Sequence, residues 1–275
     1  MPTTSLPIPQ LLQAFALALL ISALGFRRVV YFISVGYAFS IVAMSVVLPI
    51  LYRDSLAWVA IAQNLLLFVW GVRLGVYLVQ REFQPSYRRE LVGVAERSAH
   101  ITGVRKILIW VGVSLLYVAM FAPALFTLAD TAGLPGGVGL GVQIFGLLVM
   151  AGGLGLEALA DKQKSNYKAL FPHRFCDTGV YKFVRYPNYL GEILFWVGTW
   201  VVGIPAYRSW LHWVIGLAGL VCIVLIMLGS TKRLEEKQGE RYGSRADYQT
   251  FIRTVPVLFP FVPVYTLKNI RVYLE

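Results

Sequence analysis

Residues 209–231 read SWLHWVIGLAGLVCIVLIMLGST, and the chain then turns at once into KRLEEKQGER at 232–241. The first stretch contains no Asp, Glu, Lys or Arg. A helix needs about 20 predominantly apolar residues to cross the hydrocarbon core of a bilayer. This stretch therefore predicts a membrane span that ends where the charges begin. Five further runs share the property: 1–26, 29–52, 55–72, 107–129 and 131–156. The third continues past Arg73 to Gln80, and another crossing from Asn188 to Tyr207 is interrupted only by Glu192. The expected fold is all-α, a polytopic membrane protein with seven transmembrane helices.

Composition agrees with this reading. The 275 residues are 57% hydrophobic and 14% charged, whereas a soluble domain carries about 25% charged residues. Disorder is excluded by the same apolar content. Too little polar surface exists to cover seven apolar helices in water. The first run lacks a basic segment ahead of it, and Arg27 and Arg28 follow it. That order does not match a cleavable signal peptide.

The net charge of +11 has a location. Two basic residues lie between helices 1 and 2, six between helices 3 and 4, and six between helices 5 and 6. Eight more lie after helix 7, so 22 of the 25 fall on one side. Arg53 and Arg208 fall on the other side, where Asp54 and Asp130 balance them, and Arg73 is inside a helix. The positive-inside rule then predicts an outside N-terminus and a cytosolic C-terminus. A basic surface of this kind is expected to meet the bilayer and a polar ligand, with no nucleic acid partner. Residues 254–267 are uncharged but broken by Pro256, Pro260 and Pro263. They are expected to lie along the membrane interface.

Chemistry is concentrated at 157–192. Glu157, Asp161, Lys164 and Lys168 are spaced 4, 3 and 4 apart, which on a helix stacks them along one face. Such a face suits a ligand with hydroxyls or an amide at one end and phosphates at the other, or else a salt-bridged solvated surface. Arg174 and Arg185 flank the segment. Asn188 follows Pro187 and either caps helix 6 or offers its amide to a ligand. Glu192 is an intramembrane carboxylate, a functional candidate by its cost, or a partner of Arg185 or Arg233. Arg233 can clamp a phosphate or carboxylate, or belong to a surface helix attracted to anionic lipid. Gly153, Gly155 and Ala158 mimic a dinucleotide fingerprint. That fingerprint needs a preceding strand, so these small residues are read as allowing close helix packing. Helices 1–4, residues 1–130, form an expected apolar substrate chamber. Among their few polar groups, Tyr37 is the phenol best suited to donate a proton to a carbonyl, or else it packs with its hydroxyl on the backbone. No cluster of metal-ligating residues is evident.

Three motifs carry a family resemblance: the E-x-x-x-D-x-Q-K of 157–164, the R-x-P-N-Y-L-G-E of 185–192, and the R-x-E-E of 233–236. They resemble the superfamily of membrane-embedded steroid 5-alpha-reductases, which also includes the isoprenylcysteine carboxyl methyltransferases. The likeness covers roughly residues 150–260, with a weak W-G-x-R-L-G echo at 70–75. It implies that residues 131–275 bind NADPH. It further implies hydride transfer to the enone C=C of a 3-oxo-delta-4 steroid or an isoprenoid-like lipid. By this likeness Asn188 meets the nicotinamide amide, and Glu157 and Asp161 serve the cofactor's polar groups. Lys168, Arg174 and Arg233 hold phosphates, and Lys164, Glu192 and Glu236 complete the set. The alternative is S-adenosylmethionine-dependent methylation of an isoprenylcysteine carboxylate or a lipid. The reductases carry a Gln-Glu pair on an early helix, which residues 1–80 lack. Ser34 and Trp70 stand as the substrate-binding candidates beside Tyr37 as the catalytic one. A monomer is expected, in a bacterial inner membrane or an endoplasmic reticulum type membrane.

Overall fold

The computed structural model describes residues 6–53, 56–83, 101–130 and 136–269. Arg88, Arg89, Arg97, His100, Asp54 and Arg271 lie outside the described residues. Among the described residues there is no strand. The helices are α1 (Ile8–Ser22), α2 (Val35–Leu51), α3 (Trp58–Glu82), α4 (Gly103–Ala129), α5 (Val138–Leu170), α6 (Pro187–Gly203), α7 (Trp210–Tyr242) and α8 (Ala246–Thr254). Helices α1 to α7, three of them extended by short 3-10 turns, are long and apolar enough to cross a membrane. The all-α multi-pass expectation holds.

Two helices outrun their apolar stretches. α5 and α7 each have 33 residues, about 50 Å at 1.5 Å per residue, against a hydrocarbon core of about 30 Å. The charged residues 232–242 therefore continue the α7 span and do not form a separate surface helix, which corrects the expectation for Arg233. Lys, Arg, Glu and Gln are good helix formers, and they carry the ladder through Gly239, the single glycine of 232–242. It ends where Gly243 donates its N–H to Gly239, at 2.8 Å.

The described chain divides into two compact units. The first comprises Met1–Leu147 with Thr199–Leu220. Here α2 packs against α1 and α3, and α1 packs against α4. The buried stripe of α4 runs through Ser114, Tyr117, Phe121, Leu125 and Leu128, the three-or-four spacing of one helix face. Helices in lipid gain little from apolar burial alone and associate through small residues and polar contacts. Gly71 allows α3 to approach α2: a Cβ there meets the Ala38 carbonyl oxygen at 2.9 Å. Ser22 and Ser114 hydroxyls meet at 3.0 Å, and Trp110 donates to the Leu19 carbonyl at 2.9 Å. Leu12, Leu20, Leu65 and Phe145 stay exposed, as lipid-facing side chains do.

Charge pairs in this unit respect the expected sides. Arg208 meets Asp130 at 2.8 Å, both assigned to the outer side. Glu82 accepts a hydrogen bond from Tyr31 at 2.7 Å and lies 3.7 Å from Arg28, both at the expected inner side.

The second unit comprises Leu148–Gly198 with Val221–Glu275. Its core joins Ala160, Cys176 and Tyr181, and separately Phe175, Tyr242 and Tyr248.

Candidate functional site

The second unit is organised by a glycine contact. A Cβ on Gly153 of α5 meets the Gly191 carbonyl oxygen at 2.6 Å and the Phe195 amide at 2.5 Å. A Cβ on Gly191 of α6 meets the Glu157 amide nitrogen and the Gly153 oxygen, each at 2.7 Å. Backbone meets backbone here, so only glycine fits. The helix-packing reading of Gly153 is borne out, while Gly155 has open space around it. The contact brings the Glu157 turn against the turn that carries Glu192. Both carboxylates are buried, at 3% and 6% exposure. Burial of a charge is tolerated only with partners, so neither side chain is a passive surface residue.

Beyond Glu157, α5 is unbroken through Asp161, Lys164 and Lys168, all half-buried. The expected single face is therefore real. About 16 Å of helix axis separates Glu157 from Lys168 at 1.5 Å per residue. Asn188 lies inside the first turn of α6, half-buried. The cap position belongs to Tyr186, whose carbonyl receives the Leu190 N–H at 3.2 Å. Capping by Asn188 is thereby replaced by a side chain within the helix.

Lys168 and Arg174 come together. The Lys168 ammonium donates to the Tyr242 hydroxyl at 2.7 Å and to the Arg174 carbonyl, which folds residues 171–176 over the end of α5. An ammonium has three donors, so one remains. The Arg174 guanidinium is exposed and lies 3.7 Å from Asp247. Asp247 in turn is gripped by Arg245 at 2.7 Å and accepts the Tyr248 N–H at 2.8 Å. The Arg245 contact, with the Tyr248 N–H and Arg174 adding to it, holds the Asp247 carboxyl down to about 2. Arg233 and Glu236 are exposed on the α7 extension and do not meet this group.

The neighbouring Glu235 is the buried one. Arg185 and Glu235 pair at 3.3 Å with side chains only 1% and 5% exposed. Arg185 also donates to the Tyr265 carbonyl, and Glu235 accepts the Leu267 N–H at 2.9 Å. The Arg185 and Tyr186 amides donate to the carbonyls of Pro256 and Val257 at 2.9 and 3.2 Å. Among the described residues the buried Tyr186 hydroxyl has no hydrogen-bond partner, nor do Arg185 Nε and Nη1. Burial pushes the Tyr186 phenol well above its ordinary value, and burial raises Tyr248 as well, with Arg185 opposing. These phenols stay neutral donors at any physiological pH.

In the first unit, Tyr37 and Trp70 are brought together. Their ring centroids are 5.1 Å apart, edge to face, and Tyr37 stacks on Tyr117 at 5.4 Å. Tyr117 ties its hydroxyl to the Phe32 carbonyl. Ser34 donates to the Val30 carbonyl at 2.8 Å, one turn ahead of Tyr37. Tyr117 is one of the few polar groups of helices 1–4 in the sequence, and only the fold sets it against Tyr37.

A family profile described as "Protein of unknown function (DUF1295)" matches residues 21–255. The chain belongs to this family. The DUF1295 match covers every candidate residue named above. One relative is the Uncharacterized protein C594.04c of Schizosaccharomyces pombe (strain 972 / ATCC 24843). It is 30% identical over 118 residues, which is 34% of this chain and 33% of the relative. The chain thus spans about a third of the length of that curated relative. No solved structure matches.

Proposed function

We propose that this DUF1295 protein is an integral membrane, NADPH-dependent reductase of a lipid enone, of the steroid 5-alpha-reductase type. The observation that carries the reading is the unbroken α5. It runs from the buried Glu157 to Lys168, whose ammonium sits beside Arg174. The donor set fits a dinucleotide: carboxylates and the Asn188 amide at the apolar end, cations at the solvated end. Glu157 and Asp161 accept from hydroxyls or an amide. The third Lys168 N–H and the exposed Arg174 guanidinium neutralise phosphates. When bound, NADPH supplies the hydride that the β-carbon of an α,β-unsaturated ketone accepts.

In the first unit, the Tyr37 group receives the other reactant. A neutral phenol on the ketone oxygen stabilises the negative charge that develops there as the C=C is reduced. The oxygen returns any proton it borrows to the phenol as the ketone re-forms, and a single proton from solvent reaches the α-carbon. Trp70 is fully buried and packs edge to face on Tyr37, which orients the phenol, and Ser34 keeps an acceptor lone pair free to orient a polar substituent. The basic loops set the binding side on the cytosol by the positive-inside rule.

Asn188→Ala tests the reading. Consumption of NADPH with a 3-oxo-delta-4 steroid is expected to disappear while the melting temperature is kept. Unchanged turnover removes Asn188, and with it this cofactor placement.

A further inference from the structure

Residues 254–267 carry no charge and are bracketed by Arg253 and Lys268, both exposed. The segment folds as a tongue: Val257 donates to the Val264 carbonyl at 2.9 Å, and Val262 donates to the Phe259 carbonyl at 3.3 Å. Val257 and Leu258 at its root are buried. Beyond them the apolar side chains point out of the protein. Phe259, Val262, Val264 and Tyr265 are each 41–44% exposed, and Phe261 at the tip is 97% exposed. Phe261 also holds the left-handed backbone, at φ +66°. That conformation is unfavourable for a residue with a Cβ, and a bare phenylalanine in water compensates nothing.

The depth of the tongue is fixed by its root. Pro256 and Val257 accept the amides of Arg185 and Tyr186, the two residues directly before the Pro187–Ala206 span. The tongue therefore leaves the protein at the level where a chain segment enters the bilayer. The adjacent α8 behaves differently. Its Tyr248, Phe251 and Ile252 pack inward around Phe175 and Tyr242, which leaves Asp247, Thr250 and Arg253 outward.

We propose that Phe259–Tyr265 is a lipid-inserting tongue. Phe259, Phe261 and Val262 enter the acyl boundary of the leaflet at the start of α6, while Arg253 and Lys268 meet its headgroup phosphates. Interfacial segments lie about 5–10 Å into that boundary, a depth at which aromatic rings are favoured.

The test uses the full chain in phosphatidylcholine–phosphatidylglycerol vesicles. Cys176→Ala and Cys222→Ala remove the native thiols, and an environment-sensitive fluorophore is attached through Phe261→Cys or, separately, Thr250→Cys. The tip label is expected to emit as in an apolar medium and to lose most of its emission to nitroxide lipids labelled near the headgroup. The Thr250 label is expected to emit as in water and keep its signal. Val262→Cys provides the same reading if the tip variant is poorly folded. Water-like emission from both tongue positions overturns the proposal. So does apolar emission that nitroxide lipids leave untouched, because protein would then be the cover.

Discussion

The glycine contact between α5 and α6 sets up the sharpest mutational contrast. In Gly191→Ala the new methyl lies 2.7 Å from two backbone atoms, the Glu157 amide nitrogen and the Gly153 oxygen. Ordinary contact of a methyl begins near 3.4 Å, so the helices must part by about 0.7 Å or bend, and overpacking of a dense interface costs about 1–3 kcal/mol. Neither atom is the end of a flexible side chain, which places the expected loss in the upper half of that range. Gly153→Ala meets the same surface from the other side, at 2.5 Å and 2.6 Å. Because both methyls strain one contact, the double variant is expected to lose less than the sum of the singles. Gly155→Ala has nothing within 4 Å. There, replacing glycine inside a helix is expected to be neutral or to stabilise by up to about 1 kcal/mol. The assay is thermal unfolding of purified protein in one detergent, with the four variants side by side. Equal melting temperatures for Gly191→Ala and Gly155→Ala would refute the close approach, and with it the placement of Glu157 against the Glu192 turn.

Two more perturbations follow from the same unit. Glu235→Gln leaves the Arg185 guanidinium buried without its counter-charge, a loss of about 3–5 kcal/mol. The paired change Arg185→Met with Glu235→Leu is expected to be milder than Glu235→Gln, as read by thermal unfolding. Asp247 supplies a pH signature. Its folded-state value is depressed from 3.8 to about 2, so its contribution is complete above the unfolded value and is lost as pH falls through the folded one. The melting-temperature gap between wild type and Asp247→Asn is therefore expected to be constant above pH 4. It should close between pH 3.8 and about 2; a gap that persists at lower pH removes the carboxylate as its source.

The seven spans were legible because a bilayer imposes a simple rule, about 20 residues without charge, and 209–231 obeys it without exception. The end of α7 was not legible by that rule. Charges at 232–241 mark where the membrane stops, not where the helix stops, since backbone hydrogen bonding continues in water. A helical count does recover part of what was missed. Ile223, Met227, Thr231 and Glu235 are all buried and follow at steps of four, so extending the stripe selects Glu235 and leaves Glu236 outside. Its partner Arg185 lies 50 residues away, a pairing that no local pattern encodes. The same holds for the ring contacts of Tyr37 with Trp70 and Tyr117. They join three different helices, whose rotation is set by packing at positions such as Gly71. Of the two glycines in the false fingerprint, periodicity could not say that Gly153 faces α6 and Gly155 does not.

The proposed function requires the second unit to bind a phosphorylated dinucleotide. Its most direct test is thermal stabilisation of the purified chain by NADPH, NADH and S-adenosylmethionine in parallel. A ligand at a hundredfold excess over its Kd stabilises by about 2.7 kcal/mol. A shift of that size is expected with NADPH, less with NADH, which lacks one phosphate for the cations to hold, and none with S-adenosylmethionine. A shift with S-adenosylmethionine alone, or with none of the three, contradicts the account.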